Sequence, residues 1–359
     1  MNNTNAKTAE NAAIDINPIP YLTWTWLKIN KDSVSYEFNL SENQGCEVQL
    51  PAGIKVSSGK TVETQLSEPQ FSIGKEAAKL ISDATAEGKI YTVEKSSDQP
   101  LIIRIKLDSN SATHQIIHAK AGTSSNVIIV YESASDSSVL SGVITKVYAE
   151  DDSKLHISKV QLCGKSVNQI DDTAVVCGER AKVSFTQIEL GASHINAGFH
   201  ASLEGYQSSF YSDTAYICQE NQYLDMNQVV VHKGKKTICD MKTHGTAKDE
   251  ATKTYRGTID MVKGCAGSVG NEIETTLLLS PKAVVKAAPI ILCGEEDISA
   301  EHGSTIGKLS NEMLFYMNSR GIDQKTAEEL LTNAKVTAAA ATIEDEEIKN
   351  EILEYLNGK

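Results

Sequence analysis

Eight histidines and seven cysteines are the side chains of this 359-residue sequence best suited to metal or sulfur chemistry. The cysteines are Cys46, Cys163, Cys177, Cys218, Cys239, Cys265 and Cys293. Their number is odd, they are spread widely, and no C-x-x-C occurs. That pattern argues against a secreted disulfide framework, a structural zinc site and a ferredoxin-type cluster cage. Three of them recur in one local context: Leu162-Cys163-Gly164, Val176-Cys177-Gly178 and Leu292-Cys293-Gly294. A small apolar residue before a turn glycine suits the inner corner of a repeated unit, so all three are expected to be buried filler. Among the histidines, His114 and His118 are four apart in a strand-like segment and share one face. They are expected to be polar histidines of an exposed strand face and not a metal pair. His194 and His200, six apart, are poorly spaced for two ligands on one strand. His302, in Glu301-His302-Gly303-Ser304, sits where a strand-like pattern gives way to helical spacing. Two readings of His302 stand: a neutral imidazole hydrogen-bonded at that corner, or a metal ligand with Glu301 as an oxygen donor beside it.

Other chemistry has little support. There is no nucleophile elbow, Walker loop, dinucleotide fingerprint or H-E-x-x-H. The glycine-rich stretch 264–271 is followed neither by Lys-Ser/Thr nor by a helix, and reads as a tight turn. Asp240, Asp260, Glu272 and Glu274 are the carboxylates a polysaccharide hydrolase or lyase on a strand solenoid would use, but nothing in their spacing requires it.

The elements that must position these residues are mostly short strands. From about residue 100 to 306, segments such as LIIRIKL, NVIIVYE, KLHISKVQL, KVSFTQIEL and RGTIDMVKG recur every 10–13 residues or so, separated by Gly, Asn, Asp or Lys. Hairpin dipeptides such as Asn-Gly are absent between them, and the run is long for one sandwich. A strand solenoid, or β-helix, is the better fit. Residues 1–20 read as a disordered polar tail and 21–99 as an N-terminal α/β region. In that region FSIGKEAAKLISDATAEGKIY is one short helix stopped by Gly88. Residues 100–306 form the β-helix core and 307–359 a C-terminal helical domain. Ser310 and Asp323 are placed to cap its first two helices, Gly321 to end the first, and Ile348, Ile352 and Leu356 stripe the third. These helices either cap the stack or present an apolar groove to a partner. A net charge of −13 disfavours nucleic acid and anionic membranes as partners. No run reaches the roughly 18–20 apolar residues of a membrane span, and the N-terminus lacks a signal pattern, so a cytoplasmic location is expected.

The junction PIILCGEEDISAEHGSTIGKLSNEMLFYMNSRGI resembles the C-terminal signature of the SufB/SufD family, scaffold proteins of iron–sulfur cluster assembly. Pro289, His302, Gly303, Leu314, Phe315, Tyr316, Arg320, Gly321 and Ile322 match in order. Upstream, Tyr255-Arg-Gly-Thr-Ile259 and Leu277-Leu-Leu-Ser280 match as well, and TWTWLKIN resembles the Trp-rich opening of SufD-type members. The resemblance implies a mainly β fold, a right-handed parallel β-helix with a small C-terminal α-helical domain. It implies a complex of a SufB-type and a SufD-type chain paired through their β-helices. Each chain would recruit a SufC-type ABC ATPase through its C-terminal helices, here Leu314, Phe315, Tyr316, Arg320 and Gly321. A transient iron or iron–sulfur cluster would form at the subunit interface, where His302 falls, with no permanently bound cofactor.

SufB-type chains carry a cysteine just before the leucine-rich strand, where this sequence has Glu274, and a carboxylate after the histidine, where it has Gly303. The departure points to a SufD-type, non-catalytic scaffold subunit. A homodimeric scaffold serving both roles is the alternative within the family, and a β-helix hydrolase or lyase the alternative outside it.

Overall fold

Side chains alternate across a strand, so a strand apolar at every second position buries one face and a continuously apolar strand buries two. Both kinds are present, and together they build a parallel β-helix. The computed structural model describes residues 13–21, 25–36, 38–134 and 138–358. In chain order its strands begin with β1 (Ile14–Ile16), β2 (Asp32–Val34), β3 (Ser41–Glu42), β4 (Cys46–Gln49) and β5 (Ile54–Ser58). After helix α1 (Lys75–Asp83) come β6 (Lys89–Val93), β7 (Leu101–Lys106), β8 (Ser111–Ala119), β9 (Ser124–Glu132), β10 (Val139–Ala149), β11 (Lys154–Leu162), β12 (Val167–Cys177) and β13 (Lys182–Glu189). The last eight strands are β14 (His194–Leu203), β15 (Ser209–Cys218), β16 (Tyr223–His232), β17 (Ile238–Ala247), β18 (Thr252–Met261), β19 (Ser268–Leu278), β20 (Val284–Cys293) and β21 (Ile298–Gly307). Three helices close the chain: α2 (Asn311–Ser319), α3 (Gln324–Ala340) and α4 (Glu346–Leu356).

Even-numbered strands from β6 to β20 stack into one sheet and odd-numbered strands from β7 to β21 into a second, each pairing parallel with the strand one coil away. Val139 pairs with Val167 and Glu272 with His302, so a coil takes about 30 residues and holds two strands. The strands therefore recur a little more widely than the sequence reading expects. Turns stack as the strands do. Asp152, Arg180 and Gln207 adopt φ of 58°, 52° and 58°. Their backbone N–H groups donate to Glu179, Tyr206 and Lys235 carbonyls at 2.8, 2.8 and 3.0 Å. The ladder offsets the left-handed cost of roughly 1–2 kcal/mol per non-glycine residue. In the glycine-rich turn that cost is avoided, with Gly264 at φ 109° and Gly267 at φ 76°.

Both outer faces are covered along part of the stack. Ile102, Ile128, Val130, Val160 and Ile188 point out of the second sheet and pack with Val336, Ala339 and Ala340 of α3 and Ile348 and Ile352 of α4. The last two helices thus fold back along a sheet face and do not cap the end of the stack. Ser310 accepts from the Met313 N–H and Asp323 from the Thr326 N–H, the caps the sequence predicts. Helix α1 and β1 cover the first sheet through Ile16, Ala77, Ile81, Ile144 and Ile170.

Two expectations fail in the N-terminal region. Residues 1–12 of the expected disordered tail lie outside the described residues, as do Thr23 and Trp24 of the Trp-rich opening. Residues 13–20 are ordered: β1 pairs antiparallel with β2, and Asn17 Nδ2 donates to Asp225 Oδ1 at 2.7 Å. Asp225 also pairs with Arg256, whose Nε donates to the Ile29 carbonyl at 2.6 Å. A buried ion pair on the sheet therefore pins the segment, and nothing in its own composition signals this. Helix α1 ends at Asp83, before Gly88. Gly88 instead marks a close approach, since a Cβ there would lie 2.5 Å from the Gly59 carbonyl oxygen.

Candidate functional site

The two ends of the β-helix differ. At the N-terminal end β4 and β5 run antiparallel to β7 and β6 and terminate the stack. At the C-terminal end, among the described residues, β20 and β21 each have a strand on one side only. Two ten-residue edges are therefore left with free N–H and C=O groups. Such an edge is a template for pairing with another chain.

His302 lies in the middle of β21, not at a strand–helix corner. Its direction follows from Ser304, two residues on and on the same face, whose Oγ donates inward to Glu274 Oε2 at 2.6 Å. His302 accordingly faces the interior of the solenoid, in register with Glu272 of β19. It is exposed because no further coil lies beneath it. Among the described residues its ring has no hydrogen-bond partner, so the corner-bonded reading is not what the structure contains. Glu301, in register with Asn271, is exposed on the opposite face. The fold thus brings His302 together with Glu272 and separates it from Glu301.

Beside the column of His302 and Glu272 the interior is polar. One inward column runs Ile129, Lys159, Gln187, Thr214, Thr243, Glu274, Ser304, and is polar from Lys159 to the open end. Gln228 reaches across from the first sheet, donating to Thr214 at 2.9 Å and accepting from Thr243 at 2.9 Å. Lys253 Nζ donates to Glu274 Oε1 at 2.5 Å, both groups being fully buried. Burial pulls the Lys253 ammonium down, against the pull of Glu274. Burial pushes the Glu272 carboxyl up to about 8. Its two oxygens have no well-formed hydrogen bond among the described residues, although the Tyr255 hydroxyl is close by. Gly257 provides the room for it: a Cβ there would lie 1.8 Å from Glu272 Oε1.

The SUF system FeS cluster assembly, SufBD core domain family matches residues 103–335, which takes in this open end. The chain belongs to the SufBD family. It is 25% identical over 275 residues to a chloroplastic iron–sulfur cluster assembly SufBD family protein of Arabidopsis thaliana, covering 70% of this chain and 47% of that one. It is 26% identical over 156 residues to the iron–sulfur cluster assembly protein SufD of Bacillus subtilis (43% of this chain, 36% of that one). To the SufD of Escherichia coli it is 24% identical over 166 residues (46% and 39%). The matched stretch spans less than half the length of each of these relatives.

In this SufBD chain the second exposed feature is α2, which buries no residue. Phe315 is 76% and Tyr316 59% exposed, while Leu314 is half-buried in a groove with Leu278, Leu279 and Pro281. Arg320 lies over the Tyr316 ring at 5.3 Å, and Gly321 ends the helix at φ 82°. Leu314 is thus the more covered of the three, and the two aromatic residues are exposed.

The cysteines divide by coil. Cys163 and Cys177 are buried filler, and burial pushes the Cys177 thiol up to about 12. Cys293 has the same local sequence but is exposed, because it occupies the last coil. His114 and His118 share a face as expected, yet that face is covered by α1 and the segment before it, and both are buried. Burial lowers His114 to about 4, and His118 Nε2 lies 2.7 Å from Glu150 Oε1. The four carboxylates of a hydrolase do not share a cleft. Asp240 and Asp260 lie on the outer faces of different sheets, and Glu272 and Glu274 are inside. Sequence reasoning missed Glu272 as a neighbour of His302. Its signal was the small or polar residue at every second place, Ser268, Gly270, Glu272, Glu274 and Thr276. Among the described residues no helix is long and apolar enough to cross a membrane.

Proposed function

We propose that this chain is a SufD-type scaffold subunit of cytoplasmic iron–sulfur cluster assembly, with no catalysis of its own. The observation that carries the reading is the uncovered last coil. Its two edges are free, and His302 faces the exposed interior between them. A SufB-type chain would pair its β-helix with these edges. Iron and the nascent cluster are then cargo at the seam, held by the His302 imidazole. A neutral nitrogen donor releases iron more readily than a set of thiolates does. Glu274, where a SufB-type chain would carry cysteine, is tied to Lys253, which supports the SufD assignment. The exposed Phe315 and Tyr316, with Arg320, offer a docking site for a SufC-type ABC ATPase.

An anaerobic pull-down of the tagged chain from its host lysate tests this reading. Recovery of an ABC ATPase together with a cysteine-bearing SufB-type relative supports it, and recovery of neither refutes it. The homodimeric version stays open because the last coil leaves two edges free on every copy, the condition for an isologous pairing. An ATPase recovered without the relative, from a chain that elutes as a dimer, favours that version. The hydrolase reading lacks a cleft that gathers its carboxylates.

A further inference from the structure

We propose that Glu272 and His302 are the two donors this chain contributes to a single divalent transition-metal site in the mouth of the last coil. The inference rests on the reading of His302 as a metal-bearing residue and adds the group it works with. The two residues are Cα partners on adjacent parallel strands, with both side chains on the inward face. Neighbouring strands stand about 4.8 Å apart, which places a carboxylate and an imidazole within reach of one ion. Glu272 is fully buried, and neither of its oxygens has a well-formed hydrogen bond among the described residues. The Tyr255 hydroxyl lies close to it, and a buried polar group without a well-formed partner is costly. The neighbouring column shows what satisfaction looks like, since Glu274 takes bonds from Lys253, Thr276 and Ser304. Gly257 keeps the Glu272 carboxylate clear of a side chain on the facing sheet. His302 is exposed and also unpartnered, so an ion from the open end meets the imidazole first, with the buried Glu272 in the coil above it.

One oxygen and one imidazole nitrogen suit iron(II), manganese(II) or cobalt(II) better than the alkaline earths or soft copper(I). Two protein donors are too few for tight retention. Water, or a residue of the chain that pairs with the last coil, would complete the shell. Glu301 takes no part, because it faces away from the interior.

Cobalt(II) titrated anaerobically into the full-length chain, followed by its visible ligand-field absorption, tests the site. Wild-type protein should bind one cobalt per chain. Glu272→Gln and His302→Ala should each weaken binding at least tenfold, and Glu301→Gln should leave it unchanged. Circular dichroism of the variants establishes that the fold persists, and Glu272→Asp, which keeps the carboxylate, should recover part of the affinity. Binding that is insensitive to Glu272→Gln in a folded chain overturns the site, as does wild-type protein that binds no cobalt. The scaffold reading fails separately, if wild-type protein binds cobalt as expected but recruits no partner from lysate.

Discussion

Lys253 Nζ lies 2.5 Å from Glu274 Oε1 inside the last coils of the β-helix, and neither side chain is exposed to solvent. Removing one partner leaves the other charge stranded. Glu274→Ala should therefore destabilise the protein by about 3–5 kcal/mol. Replacing both, as Lys253→Met with Glu274→Leu, should recover most of that loss. Guanidinium denaturation of the two variants and wild type is the check. A double variant as unstable as the single one would mean that the pair does more than neutralise itself.

Cys293 is exposed, whereas Cys163 and Cys177 are buried. One thiol should react quickly with a maleimide in the native chain, and Cys293→Ser should abolish that fast phase. If a second chain pairs with the last coil, adding it should slow the phase at least tenfold. Unchanged labelling in a verified complex would place the partner elsewhere.

Stability should respond to pH in two opposite ways. Burial, followed by the Asp171 charge, raises Glu189 from its ordinary 4.5 to about 8, with Lys159 and Gln187 pulling the other way. The folded state holds this proton more tightly, so the contribution is full below pH 4.5 and is lost as pH rises through 8. Glu189→Gln should then gain thermal stability over wild type at pH 9 and lose that advantage at pH 4. Burial lowers His114, His200 and His232 from 6.5 to about 4. The unfolded chain takes up these protons first, so wild-type stability should fall as pH drops from 6.5 toward 4. Melting temperatures across this range test both signs.

Phe315 and Tyr316 make little contact within the chain. Phe315→Ala with Tyr316→Ala should shift the melting temperature by no more than about 2 °C, as surface changes do. The same pair should weaken binding of a SufC-type ATPase more than tenfold by calorimetry. Leu314→Asp is a poorer probe, since Leu314 is half-buried and lines a groove with Leu278, Leu279 and Pro281, so its loss could also disturb the chain itself.

Gly191 presses on the preceding coil, and a Cβ there would fall 1.9 Å from the Cys163 carbonyl oxygen. Tyr355 Oη of α4 donates to the same carbonyl at 3.0 Å. Gly191→Ala should cost on the order of 1–3 kcal/mol, as overpacking does. It should also loosen α4, giving faster amide exchange at Ile348 and Ile352.

Alternating and continuous apolar runs made the strand stack legible in the sequence, because strand periodicity is local. The caps at Ser310 and Asp323 and the stripe Ile348–Ile352 were legible for the same reason. Position within the stack was not. Cys163 and Cys293 share one local pattern, yet one is filler and the other faces solvent, because only the last coil lacks a neighbour. His114 and His118 read as exposed until α1 and the segment before it are laid over them. Glu301 adjoins His302 in sequence and Glu272 lies 30 residues away, yet alternation turns the first outward and parallel register sets the second beside it. The sequence by itself determined the kind of coil and the ends of its helices. Tertiary structure alone decided which coil is last and what faces its open interior, because burial in a solenoid depends on the neighbouring coil and not on the strand itself.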